Sequence, residues 1–315
     1  MSKFRQLLDD SLKSHDTEEW IDIWFTRPVG LVFALMWKRL GVHPNAITIL
    51  SMFLGVGAGV MFGHTDTLHN VMGVILLILA NFCDSTDGQL ARLTGQKTLL
   101  GRALDGFAGD VWFFAIYVAL IIRLWQQPVP GTDYAWGIWA FVLALVSSVL
   151  CHSPQSSLAD YYRQIHLFFL KGREGSELDN SEQQLSVLKS LPGGGTWFQK
   201  LYYRNYAAYC RSQERRTPEF QKLAALINER NWHAGNIPQN IRNMFITGSR
   251  PLMKYTNILT FNVRAIVLYV TCLSGCPWAY MVFEITVMTV IYVYMHHRHE
   301  TLCKQVMAEI KRDDA

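Results

Sequence analysis

Charge is what this sequence has least of. Asp, Glu, Lys and Arg make up 17% of its 315 residues, where a soluble globular domain carries about a quarter. Half of the chain is apolar, so an ordinary water-soluble enzyme is excluded. Cysteine is sparse as well. The six residues Cys83, Cys151, Cys210, Cys272, Cys276 and Cys303 are scattered, and no pair has zinc-site spacing with a nearby His or Cys partner. All six therefore read as ordinary thiols. Internal repeats and low-complexity tracts are absent, and nothing suggests nucleic-acid recognition. The opening MSKFRQLLDD lacks an apolar core and a small-residue cleavage site, so no signal peptide is expected.

What the chain does have is apolar blocks of roughly twenty residues, each long enough to cross a hydrocarbon core of about 30 Å as helix. Six candidate spans stand out: 45–63, 68–91, 104–122, 134–152, 257–274 and 277–295. Ahead of them, the run after Pro28 is too short to span. Trp20, Trp24, Trp37, Lys38 and Arg39 around it are headgroup-region residue types, so an interfacial helix is expected there. The expected class is an all-α polytopic membrane protein with six transmembrane helices, an N-terminal interfacial helix and a cytoplasmic helical insert. Its divisions are 1–42 (interfacial segment), 43–152 (first four spans), 153–256 (insert), 257–297 (last two spans) and 298–315 (tail).

Basic residues set the expected orientation. With a cytoplasmic N-terminus, the external loops 64–67, 123–133 and 275–276 hold one basic residue, Arg123. The segment 153–256 holds fourteen Lys and Arg against eight Asp and Glu, and belongs on the cytoplasmic side. Within it, YYRQIHLFFL, TPEFQKLAALINER and GNIPQNIRNMFI read as short amphipathic helices, with PGGG at 192–195 as a break. The tail histidines His296, His297 and His299 do not share one helix face, and read as solvated interfacial residues.

The chemistry concentrates in NFCDSTDGQLARLTGQKTLLGRALDGFAGD. Asp84 and Asp87 are three apart and share a helix face. Gly88 and Ala91 continue that face with almost no side chain, and Arg92 closes it. Asp105 and Asp110 return from the next helix. Carboxylates beside hydrocarbon are costly unless compensated, and four within 27 residues repel one another. A hard divalent cation, Mg²⁺ or Mn²⁺, removes that repulsion and commonly bridges to substrate phosphates. Gly88 and Ala91 leave room for a nucleotide against the backbone. A bare Asp84 pairing with Arg92 or Arg102 would not explain Gly88, Ala91 and Gly101 at their positions.

This spacing closely resembles the signature of the CDP-alcohol phosphotransferase family, Asp-x2-Asp-Gly-x2-Ala-Arg-x8-Gly-x3-Asp-x3-Asp. Asp84, Asp87, Gly88, Ala91, Arg92, Gly101 and Asp105 match in place, and HPNAITILS at 43–51 looks like the family's entry to its first span. The resemblance covers about 40–152 well and the last two spans by topology only. It implies a six-helix membrane fold, usually dimeric, with two divalent ions held by the aspartates. It also implies attack of an acceptor hydroxyl on the CDP-linked phosphorus, with CMP leaving. Gly88, Ala91, Arg92 and Gly101 would receive the donor nucleotide and its phosphates.

One position departs. The family's fourth Asp, its candidate general base, falls here on Gly109, and the available carboxylate is Asp110. In a regular helix Asp110 lies about 140° around from Asp105; a single π-bulge near Gly106 and Gly109 would restore the facing. Those two glycines also fit close helix packing.

Arg264, inside the fifth span, either faces an anionic acceptor or snorkels to the interface, and Arg163 flanks the cytoplasmic mouth. The reading taken is CDP-diacylglycerol as donor and a small polar alcohol, in the first place a phosphorylated one such as inositol phosphate, as acceptor. The setting is a bacterial inner membrane with the site facing the cytoplasm. Glycerol phosphate or free inositol fits similar features. Rival readings are a CDP-aminoalcohol:diacylglycerol transferase, an ion-coupled transporter and an inactive scaffold.

Overall fold

The computed structural model describes residues 7–8, 14, 16–96, 98–172, 175–191, 196–232 and 236–312. All regular elements among these are helical, and the one extended pairing is an isolated bridge from Pro128 to Ala135. Six helical stretches are long and apolar enough to cross a membrane: 44–62, 67–94, 99–124, 138–171, 239–273 and 278–312. The chain is an all-α integral membrane protein with the six spans that its apolar blocks predict.

Three span boundaries differ from the sequence reading. The fourth helix starts at Ile138, because the 128–135 bridge and Gly137, at φ 46°, occupy the residues before it. It then continues past His152 to Lys171. Pro154 cannot donate a helical hydrogen bond, and the π-helical turn Val146–His152 stands just before it. The fifth and sixth spans likewise belong to longer helical stretches. The break expected at 192–195 lies outside the described residues.

By packing, the chain divides into two units: Met1–Ser153 with Phe261–Met288, and Pro154–Thr260 with Thr289–Ala315. In the first, a π-helical turn Asp22–Thr26 leads into α1 (Arg27–Arg39). Helix α1 buries only Gly30, Leu31 and Ala34. Trp20, Trp24, Phe25, Val32 and Phe33 point outward, the apolar side an interfacial helix offers to lipid.

Helix α2 (Pro44–Phe62) starts where His43 Nδ1 accepts the Asn45 N–H at 3.2 Å and Pro44 pre-sets the first turn. Helices α3 (Thr67–Thr94) and α4 (Leu99–Leu124) pack on it. Gly59 makes that approach possible, since a Cβ there would come within 2.9 Å of the Ala115 backbone. Ala58, Phe62, Leu77, Ile116 and Leu120 form the dry centre. Phe53 and Phe114, each 73% exposed, mark the surface turned to lipid.

Arg123, assigned to an external loop by the sequence reading, is instead buried within α4. It donates to the Phe62 carbonyl at 3.1 Å, Asn70 Oδ1 at 2.8 Å and the Cys272 carbonyl at 3.3 Å. Two of those acceptors are carbonyls at helix ends, which need such a donor. The unit is completed by α5 (Ile138–Leu145), α12 (Phe261–Leu273) and α13 (Trp278–Phe283), with π-helical turns at Val146–His152 and Glu284–Met288.

The second unit contains α6 (Ser153–Lys171), α7 (Ser181–Ser190), α8 (Trp197–Arg216), α9 (Pro218–Glu229), α10 (Gln239–Ser249), α11 (Met253–Ile258) and α14 (Thr289–Arg312). Phe169 of α6 stacks on Phe245 of α10 at 3.8 Å. Glu300 of α14 accepts the Glu219 N–H at 2.8 Å, one of the donors a helix start leaves open. The tail histidines are not all solvated. His296 bonds Tyr162 at 2.5 Å, and His299 is fully buried with its ring 3.9 Å from that of Tyr162; only His297 is exposed.

Candidate active site

Helix α3 is 28 residues long, or about 42 Å, which exceeds the apolar core by about 12 Å. Its surplus turns carry the Asp84–Arg92 run. The helix stops at Gly95, whose φ of 70° is a left-handed cap. Thr98 then caps α4 by accepting the Gly101 N–H at 2.9 Å. This tight reversal returns Asp105 to Asp84 and Asp87. One carboxylate oxygen from each lies within 4.8 Å of the others. At that separation two like charges repel by on the order of 3 kcal/mol at an effective dielectric constant of about 20. Asp87 is buried, Asp84 half-buried and Asp105 exposed, so the group has a closed back and an open front.

Asp87 is held from behind. Thr48 Oγ1, one turn into α2, donates to its Oδ2 at 2.5 Å. The sequence reading noted the run containing Thr48 but gave that residue no role; its signal was a hydroxyl one turn after Pro44. Gly88 borders open space, and a Cβ there would meet only the Arg92 guanidinium, at 3.5 Å. Arg92 Nε and Nη2 are buried with no hydrogen-bond partner among the described residues, so two of the three guanidinium nitrogens stay unsatisfied there. Ala91 is half-buried beside it. Three clustered carboxylates next to an unsatisfied guanidinium and a bare backbone fit divalent cations with a phosphate-bearing ligand.

Gly101 has a different neighbourhood from the one expected. A Cβ there would come within 2.8 Å of Asn45 Oδ1 and 3.0 Å of Thr98 Oγ1, so its missing side chain lets the start of α2 approach α4. Gly106 and Gly109 meet nothing within 4 Å, and close packing within the chain does not explain them. The π-bulge that would turn Asp110 is absent, because α4 is regular α-helix from Leu99 to Leu124. Asp110 is exposed and stands outside the acidic group.

Arg264 neither snorkels nor faces an opening. It is 1% exposed and ion-paired with Glu284, itself fully buried. Glu284 also accepts from Tyr117 Oη, from Ser147 Oγ at 2.6 Å and from Tyr280 Oη at 2.6 Å, and lies 3.0 Å from His152 Nδ1. The π-helical turns at 146–152 and 284–288 supply Ser147, His152 and Glu284 to this network. The available sequence signal was one acid and one arginine twenty residues apart in neighbouring apolar runs. Arg163 is in the second unit, where its Nη2 donates to Asn257 Oδ1 at 3.1 Å.

Residues 41–166 match the model of the CDP-alcohol phosphatidyltransferase family. An uncharacterized protein of Aquifex aeolicus (strain VF5) is 40% identical over 67 residues, which cover 21% of this chain and 33% of that protein. The matched stretch thus spans about a third of that relative's length. No solved structure matches the chain.

Proposed function

We propose, from the match of residues 41–166 to the CDP-alcohol phosphatidyltransferase family, whose members are enzymes, that this chain transfers a phosphatidyl group from CDP-diacylglycerol to a hydroxyl acceptor. The observation that carries the reading is the meeting of Asp84, Asp87 and Asp105 within 4.8 Å, beside open Gly88 and the unsatisfied Arg92 guanidinium. In it the three aspartates hold two divalent ions, Mg²⁺ or Mn²⁺. Bound there, the ions supply Lewis-acid stabilisation of the phosphate oxygens.

The chain's own residues do the rest. Thr48 fixes the rotamer of Asp87. Arg92 donates to the donor's phosphates, and Gly88 and Ala91 let the nucleotide lie against α3. The acceptor hydroxyl oxygen forms a bond to the lipid-bearing phosphorus. The bond from that phosphorus to the CMP oxygen breaks, and CMP leaves. Asp110 takes the hydroxyl proton. It lies about 7.5 Å along α4 and about 140° around it from Asp105, outside the acidic trio, so it is not occupied with an ion and the acceptor hydroxyl has to approach from that side of α4. Asp110→Asn should lower turnover by about 100-fold or more while CDP-diacylglycerol binding stays measurable. Near-normal turnover in that variant would remove Asp110 from the mechanism.

The acceptor proposed for first test is a phosphorylated polyol such as inositol phosphate, supported by the basic excess of 153–256. Arg264, engaged by Glu284, lends this no further weight; Arg163 remains a candidate contact. Mass-spectrometric identification of the product from inositol phosphate, glycerol phosphate and free inositol tests the choice. A homodimer with the site facing the cytoplasm of a bacterial inner membrane completes the proposal.

A further inference from the structure

The second unit holds a side-chain cluster that the transfer chemistry leaves unused. On α14, His299, Glu300 and Cys303 each offer a ligand atom within 4.8 Å of the others. His299 and Cys303 are fully buried, and Glu300 is 9% exposed. His299 Nδ1 stands 3.8 Å from Cys303 Sγ. A tetrahedral ion with bonds of about 2.0 Å to nitrogen and 2.3 Å to sulfur needs that edge to be about 3.6 Å.

A further observation points to a ligand. Glu300 Oε1 is a buried atom with no hydrogen-bond partner, where a settled polar core would have paired it. The His299 and Glu300 side chains are nevertheless held in place. Tyr162 lies flat against the His299 ring at 3.9 Å, and the other oxygen of Glu300 accepts the Glu219 N–H at 2.8 Å.

We infer that His299, Cys303 and Glu300 bind one transition-metal ion of the zinc class, with a solvent ligand in the fourth position. The Cys303 thiol gives up its proton to solvent on binding, and the thiolate becomes a ligand. Thiolate and imidazole donors select Zn²⁺ or Co²⁺ over Mg²⁺, whereas the aspartate trio has the hard oxygen donors that suit Mg²⁺. The burial makes this a structural ion held within α14.

The test is a Co²⁺ titration of the full-length protein in detergent micelles after chelator treatment. A thiolate-to-cobalt charge-transfer band should rise in the near ultraviolet and saturate at one ion per chain. The all-oxygen aspartate trio gives no such band, so the result is independent of the proposed transferase. Cys303→Ser should abolish the band, and His299→Ala should weaken Co²⁺ binding about ten-fold or more. Circular dichroism checks that the variants keep their helical content, and the wild-type titration stands alone for any that do not. No sulfur band in the wild type, or a band that survives Cys303→Ser, overturns the inference.

Discussion

Asp87→Asn is expected to reduce CMP formation by at least about 10³-fold, the largest functional effect of any single change in this chain. Asp87 is the buried member of the trio and the one fixed from behind, by Thr48 at 2.5 Å. Asparagine keeps the size of the side chain and removes its charge. It still accepts from Thr48 through its carbonyl oxygen, so the fold should survive with its unfolding temperature unchanged or raised as the mutual repulsion of the trio falls. Metal dependence separates this outcome from simple misfolding. The variant should need a much higher Mg²⁺ concentration for any residual activity, while a misfolded protein would show none at any concentration. Equal activity and equal Mg²⁺ dependence in the variant would mean that Asp87 does not hold an ion.

Glu284→Leu should have the largest effect on stability. Glu284 is the common acceptor for Arg264, Tyr117, Ser147 and Tyr280, with His152 at 3.0 Å. Removing one partner from a buried ion pair costs about 3–5 kcal/mol, and the hydroxyl donors that lose their acceptor add to it. For a domain of this size that corresponds to an unfolding temperature lower by at least about 6 °C. Arg264→Met should cost less, because the carboxylate keeps its hydroxyl and imidazole partners. The double variant should be less destabilised than the sum of the single ones. Thermal unfolding of the detergent-solubilised proteins checks all three. If Glu284→Leu unfolds at the wild-type temperature, the network does not hold these helices together.

How far the sequence could be read follows from what each pattern encodes. The six spans were legible because apolar length is a direct requirement of the bilayer, Asp84 and Asp87 because a spacing of three shares a helix face, and Asp105 through the resemblance to the family signature. Local pattern says less about where a helix stops. The helix beginning at Ile138 runs on through Pro154 to Lys171, since a polar stretch continues an α-helix as readily as an apolar one. Arg264 was visible as an anomaly, but its partner Glu284 comes from another helix. His299 looked solvated because three histidines in four residues resemble a surface tract; its burial against Tyr162 depends on a packing contact some 137 residues away. Gly101, read with the nucleotide, also makes room for Asn45. A missing side chain signals close approach without saying what approaches.

The central claim is that the acidic trio drives metal-dependent transfer from a CDP-linked lipid, and release of CMP tests it most directly. Purified protein supplied with CDP-diacylglycerol, Mg²⁺ or Mn²⁺, and inositol phosphate, glycerol phosphate or inositol should form one CMP per phospholipid made. A chelator should stop the reaction, and restored metal should restart it. No CMP from any of these acceptors with either metal, in protein that keeps its helical content, would contradict the account.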